Sequence, residues 1–106
     1  MADPVEVVKV EGRIDANNAP AMEAAINAPL DKGAKKIVVD LSGVEYMSSA
    51  GLRVLLASLK KVRSAGGEMR LAGMQPFVKE VFDMTGFSRL FTVSPTTEEA
   101  VKSLSS

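Results

Sequence analysis

The stretch VVDLSGVEYMSSAGLRVLLA, residues 38–57, decides the predicted fold of this chain. The unbroken apolar run from Ile37 to Val39 is what a strand buried on both faces requires, so we predict a strand from Lys36 to Leu41. After Ser49 a helix is predicted by an apolar stripe at spacings of three and four, formed by Leu52, Leu55, Leu56, Leu59 and Val62. The stretch therefore predicts a strand, a short connection and a helix, with two serines at the join.

The rest of the chain alternates strands and helices in the same way. The other predicted elements are a strand over Val5 to Glu11 that reaches Ile14, a helix over Pro20 to Ala28 that Pro29 ends or kinks, a strand over Glu68 to Ala72, a helix from Pro76 to Gly86, a strand over Leu90 to Val93, and a last helix begun by a Thr96 and Glu99 capping box. Val7, Phe77 and the alanines at 21, 25 and 28 are expected to face inward. This alternation predicts an α/β fold with a mainly parallel four-stranded sheet.

Composition limits the classes of function that remain. The 106 residues suit one domain, expected over 1–106, and 46% hydrophobic with 25% charged residues is an ordinary globular mixture. The 13 basic residues balance the 13 acidic ones, so the excess of positive charge typical of nucleic-acid binding is missing. With neither a long apolar run nor a secretory signal, we expect no membrane insertion and a cytoplasmic location.

The chain contains neither cysteine nor histidine, which removes thiolate catalysis, the Ser-His-Asp triad and histidine zinc sites. The Gly66-Gly67 pair is too little for a nucleotide loop and stops the preceding helix instead. Asp15 and Asp40 sit at the carboxyl ends of predicted strands, but no adjacent acidic pair accompanies Asp15, and both residues are interpreted as caps or turn formers. We therefore expect no cofactor, no metal and no enzymatic activity.

Two interpretations of Ser48 and Ser49 remain open on the residues alone. One of the serines could cap the helix by accepting a hydrogen bond from a backbone amide. Alternatively the hydroxyl could accept a phosphoryl group, because the start of a helix tolerates a doubly negative group. A nucleophile elbow is excluded, since it needs a small residue where Met47 stands, two before Ser49.

A further set of basic residues follows the serines: Arg53, Lys60, Lys61, Arg63 and Arg70. Such sets are most often solvated faces, and a surface for an acidic partner is the alternative. No aromatic residues interleave with these charges, so nucleic acid is not expected.

Three blocks of the sequence resemble the STAS domain family, specifically the free-standing anti-sigma factor antagonists of bacteria. The blocks are GRID at 12–15, VVDLSGVEYMSSAGLRVLL at 38–56 and GGEMRLAGMQPFVKEVFDMTGF at 66–87. The resemblance runs nearly end to end and implies the STAS fold, a short superhelix of alternating strands and helices.

The resemblance also implies a site. Alignment of Gly51-Leu52 with the family motif places Ser49 on the phosphorylated serine, with Ser48, the second choice, where the family usually has aspartate. Asp15 matches the family aspartate near that serine. The expected partner-binding residues are Asp15, Met47, Ser48, Ser49, Ala50, Gly51 and Arg53.

The mechanism implied by the resemblance is partner switching. The unphosphorylated protein, a monomer when free, binds an anti-sigma factor that is also a serine kinase, and a sigma factor is released for transcription. Phosphorylation dissociates the complex, and a metal-dependent serine phosphatase reverses it. The alternative is a STAS scaffold or accessory subunit of a signalling or transport complex, in which Ser49 is only a cap.

Overall fold

The computed structural model describes residues 4–105, which form four strands and four helices. The strands are β1 (Val5–Ile14), β2 (Lys36–Met47), β3 (Glu68–Ala72) and β4 (Thr92–Ser94), and the helices are α1 (Ala19–Asp31), α2 (Ser49–Ser64), α3 (Pro76–Thr85) and α4 (Thr97–Ser105). A single turn of 3-10 helix, Phe87–Arg89, lies between α3 and β4. Strands and helices alternate throughout, as the sequence predicts.

The four strands form one parallel sheet in the order β1-β2-β3-β4. Parallel neighbours need a crossover, and a helix follows each strand to provide it. The pairing aligns the ends of the strands, with Val5 beside Lys36 at one end of the β1 and β2 pair and Ile14 beside Met47 at the other. The prediction of a mainly parallel four-stranded α/β fold is confirmed.

Strand β2 is longer than predicted and leaves no connection before the serines. It continues from Leu41 to Met47 because the second half of β1 pairs with it, with Gly12 beside Val44. Two register shifts accompany this pairing, and at each the longer segment is on β2. The predicted connection is therefore wrong, since cross-strand hydrogen bonds to β1 override the turn preference of Ser42 and Gly43.

The core lies on both faces of the sheet, as the apolar run in β2 predicts. Ile37 and Val39 face α1, α2 and α3 in the larger cluster, which also holds Leu55 and Phe82. Val38 faces the other way, and its smaller cluster holds Ala72, Ala100 and Leu104 under α4. Residues alternate between the two faces of a strand, so consecutive apolar residues supply both clusters.

Two predictions about α1 are wrong. Pro29 does not end the helix, which runs to Asp31, because the proline is in the last turn and its carbonyl still accepts from the amides of Lys32 and Ala34. The alanines at 21, 25 and 28 are exposed, while Met22 and Ile26 are buried. Small side chains gain little from burial, so the two large residues fix which side of α1 faces the core.

Val7 and Phe77 are also predicted to face inward, and these predictions are wrong, because the two residues are 45% and 51% exposed. Val8 and Val10 face the larger cluster, and their alternation places Val7 on the opposite face. The last strand starts at Thr92 rather than Leu90, after the 3-10 turn. Thr96 caps α4 as predicted, since its hydroxyl accepts from the amide of Glu99 at 3.2 Å.

Candidate functional site

The candidate site lies where β1 and β2 end side by side. Ile14 and Met47 are the last paired residues of the two strands, and the amide of Ser48 donates to the carbonyl of Ile14 at 2.8 Å. Asp15 follows Ile14 and Ser48 follows Met47, so the sheet brings the predicted aspartate and the predicted serines to one edge. This is the carboxyl end of the parallel strands, the usual side for function in such sheets.

Ser48, and not Ser49, caps helix α2. Its backbone is extended, with φ of −83° and ψ of 171°, and its hydroxyl accepts from the amide of Gly51 at 3.4 Å. Its carbonyl accepts from the amide of Leu52 at 3.0 Å. The structure thus separates the two roles that the sequence leaves open for the pair, because the capping role belongs to the first serine.

Ser49 is the first residue of α2 and is exposed. Within residues 4–105 its hydroxyl makes no hydrogen bond to a protein group. It stands at the positive end of the helix dipole, where added negative charge is tolerated or favourable. The geometry therefore leaves this hydroxyl free for chemistry while its neighbour holds the helix.

Met47 and Gly51, two of the seven predicted partner-binding residues, are buried. The Met47 side chain is 2% exposed, and a Cβ built on Gly51 would lie 2.3 Å from Met47 Sδ and 2.8 Å from Ile14 Cγ2. Partner contact at Met47 and Gly51 stays a prediction, and in this structure neither residue is exposed for it. They instead seat the first turn of α2 on the ends of β1 and β2, because only glycine allows so close an approach.

Asp15 is exposed and forms a tight turn before α1. Its Oδ1 accepts from the amides of Asn17 at 2.9 Å and Asn18 at 3.2 Å, and its own amide donates to Asn18 Oδ1 at 2.7 Å. These bonds hold the carboxylate at the edge where Ser48 begins α2. The carboxylate therefore lies at the same sheet edge as the start of α2.

Ala50 and Arg53 line a shallow groove between α1 and α2. The groove has a volume of about 280 Å³ and is walled mainly by small residues, with Glu23 of α1 as its acidic member. Arg53 is exposed, whereas Ala50 is half-buried against the core. The predicted residues that can meet a partner are thus Asp15, Ser48, Ser49, Ala50 and Arg53.

Sequence reasoning missed an aromatic cluster beside the site. The Arg13 guanidinium carbon lies 4.7 Å from the centre of the Tyr46 ring, and that ring lies 6.3 Å from the ring of Phe77. Arg13 and Tyr46 are paired across β1 and β2, immediately before Ile14 and Met47. The sequence feature that could have indicated this cluster is Arg13 in the GRID block. Side chains alternate along a strand, so Arg13 lies on the face opposite Ile14.

Asp40 lies in the middle of β2 rather than near its end, because the strand continues to Met47, and its carboxylate accepts a hydrogen bond from the same strand. Oδ1 accepts from the amide of Ser42 at 3.0 Å. Partial burial on its own would raise the pKa of Asp40, but hydrogen bonds from Ser42 and Thr97 and the charge of Lys9 together hold that pKa below its ordinary value. The interpretation of Asp40 as a structural residue therefore holds, and no group of acidic residues in 4–105 could hold a metal ion.

Replacement of Asp40 by asparagine should lower the free energy of unfolding by about 1 kcal/mol at pH 7. A lowered folded-state pKa stabilises the protein above the unfolded value of about 3.9, and this contribution disappears as the pH falls through the folded value. Urea unfolding of both proteins at pH 7 and below pH 3 measures the difference. Glu45→Gln removes the same charge from an exposed position of β2 and controls for net charge. A difference that persists at the lower pH would contradict this assignment.

The STAS domain family model matches residues 2–100 of this chain. The three blocks that carry the resemblance in the sequence all lie inside this range. Among residues 4–105 no helix is both long and apolar enough to cross a membrane.

Similar proteins of known sequence or structure include three anti-sigma factor antagonists. BtrV of Bordetella bronchiseptica bears the name of an anti-sigma factor antagonist and is 39% identical over 98 residues. The match covers 92% of this chain and 84% of that protein. The anti-sigma-B factor antagonist of Staphylococcus aureus is 31% identical over 91 residues, and the match covers 86% of this chain and 84% of that protein. A crystal structure of an anti-sigma factor antagonist from Mycobacterium paratuberculosis superimposes with a TM-score of 0.86 at 34% identity. The superposition covers 98% of this chain and 88% of that protein.

Proposed function

This chain belongs to the STAS domain family, and we propose that it is an anti-sigma factor antagonist switched by phosphorylation of Ser49. The function itself is supported by relatives that bear this name and match along most of their length. The switch is supported by one observation above all, the exposed and unbonded Ser49 hydroxyl beside a serine that already caps the helix.

The proposed partner is an anti-sigma factor that is also a serine kinase, with a metal-dependent serine phosphatase to reverse its action in the cytoplasm. A kinase must reach the hydroxyl and place the γ-phosphate in line with it. Ser49 meets the first requirement, because its side chain is exposed at the start of α2. Ser48 meets it less well, since its hydroxyl is half-buried and accepts the Gly51 amide.

The unphosphorylated surface offers a mixed contact to this partner. Asp15 supplies a fixed negative charge, Arg53 a positive one, and Ser48, Ser49 and Ala50 a small, weakly polar centre. Small residues allow another protein to approach the backbone closely. Such a centre leaves little space for a phosphate group, which gives the switch its physical basis.

The test uses the serine-kinase anti-sigma factor from the same genome, with ATP and magnesium. The wild-type chain is expected to take one phosphate, Ser49→Ala none, and Ser48→Ala one, as read by intact mass and by mapping the modified peptide. Ser48→Ala loses its cap, at a cost of about 1 kcal/mol, so its folding is checked by circular dichroism.

Two outcomes would overturn the assignment. Phosphate found on Ser48 in the wild type would move the acceptor by one residue. Stable binding of the kinase without any phosphorylation would favour the scaffold alternative, in which Ser49 carries no switch.

A further inference from the structure

We propose that Arg53 binds the phosphate group on Ser49, one turn earlier in the same helix. Whether the Arg53 side chain is available to a partner then depends on the phosphorylation state of Ser49. The inference rests on the proposed phosphorylation of Ser49 and adds a residue to it. Arg53 would be a positioning residue, since it acts on the modified side chain and not on the transfer reaction. The argument uses helix geometry, the absence of a competing partner for Arg53, and the charges that surround the pair.

The geometry of α2 places the two side chains on one face. Ser49 and Arg53 are one turn apart, and residues at this spacing have their Cβ atoms about 5–6 Å apart. Both are exposed, so neither has to leave the core to meet the other. A phosphoserine extends the first side chain outward, and a guanidinium can donate two parallel hydrogen bonds to its oxygens.

Arg53 has no other partner in the part of the chain that the structure describes. The two salt bridges recorded within residues 4–105 are Lys61 with Asp31 and Lys79 with Asp83. Arg13, the other guanidinium near the site, lies over the Tyr46 ring. Arg53 is therefore the cation at this edge that is free to bind a new anion.

The charges near the pair are mixed. Asp15, after β1, would repel a phosphate from the strand ends, whereas Glu23 of α1 shares the groove with Arg53 and would repel a phosphate from the groove. The unpaired amides at the start of α2 attract the phosphate on its third side. When the phosphate binds Arg53, it neutralises the exposed positive charge of the site and adds negative charge. A partner that contacts Arg53 is therefore affected by both changes.

The experiment needs no kinase, because phosphoserine can be incorporated at position 49 during translation. Its second ionisation, ordinarily near pH 6, is followed by 31P NMR in the otherwise wild-type chain and in Arg53→Gln. The midpoint is expected about 0.2–0.4 pH unit lower when Arg53 is present, since a nearby cation favours the dianion. The Arg53 Nε–H resonance should also shift on phosphorylation, and Arg53→Lys should restore part of the lower midpoint.

Arg63→Gln is the matched control, because it removes the same exposed charge near the other end of α2. It should leave the midpoint unchanged. Equal midpoints in the wild type and Arg53→Gln, with no shift of the Nε–H signal, would overturn the role of Arg53. That result would say nothing against phosphorylation by the kinase, which is tested separately by the Ser49→Ala variant.

Discussion

Phosphorylation of Ser49 is expected to lower the affinity for the anti-sigma factor kinase at least about a hundredfold, which corresponds to about 2.8 kcal/mol. The group adds about −1.5 to −2 charges to a centre of small residues next to Asp15. In the complex these charges must be desolvated, Arg53 can balance only one of them, and a charge left unpaired in an interface costs several kcal/mol. Isothermal titration calorimetry with the phosphorylated and unphosphorylated chains measures the change.

The same phosphate should leave the fold intact. Ser49 is exposed at the start of α2, where a negative charge stabilises the helix by about 0.3–1 kcal/mol. The melting temperature of the free protein is therefore expected to stay the same or rise slightly. This separates an effect on binding from an effect on folding.

Phosphoserine at Ser64 provides the control for charge alone. Ser64 is exposed on the last turn of α2, about 22 Å along the helix axis from Ser49. It should not change the affinity appreciably. A similar loss at both positions, or unchanged affinity after phosphorylation of Ser49, would contradict a site-specific switch.

The sequence predicts the order of the elements well, because each depends on local patterns. The buried run Ile37 to Val39 and the apolar stripe of α2 both reflect periodicities that the structure keeps. The extension of β2 to Met47 could not be predicted in this way. It depends on pairing with β1, a contact between segments about thirty residues apart in sequence, and that pairing overrides the local preference of Ser42 and Gly43.

Apart from Asp15, the predicted site residues are close neighbours in sequence, and the structure gives these neighbours different surroundings. Ser48 caps the helix, Ser49 is free, and Met47 and Gly51 are buried beneath them. Successive residues in the first turn of a helix face different directions, and the sequence alone does not say at which residue that turn begins. The contact of Tyr46 with Phe77 joins β2 to α3, so it depends on the tertiary fold and has no local signal.

Replacement of Gly51 by valine is expected to destabilise the fold by about 3 kcal/mol. A Cβ at this position would lie 2.3 Å from Met47 Sδ and 2.8 Å from Ile14 Cγ2, well inside van der Waals contact. Met47 is 2% exposed and Ile14 is 3% exposed, so neither can move into solvent without losing core contacts. The first turn of α2 would have to lift from the sheet edge, and Ser49 would move with it.

Urea unfolding compares Gly51→Val with Ala57→Val, which adds a β-branched residue to an exposed position of the same helix and should cost less than about 1 kcal/mol. If the clash with Met47 is the cause, Gly51→Val combined with Met47→Ala should lose less stability than the sum of the two single changes, because the shortened side chain vacates the space that valine needs. Additive losses would place the strain elsewhere. Equal stability of Gly51→Val and Ala57→Val would show that the helix start is not fixed by this contact, and that the position of Ser49 depends on the Ser48 cap alone.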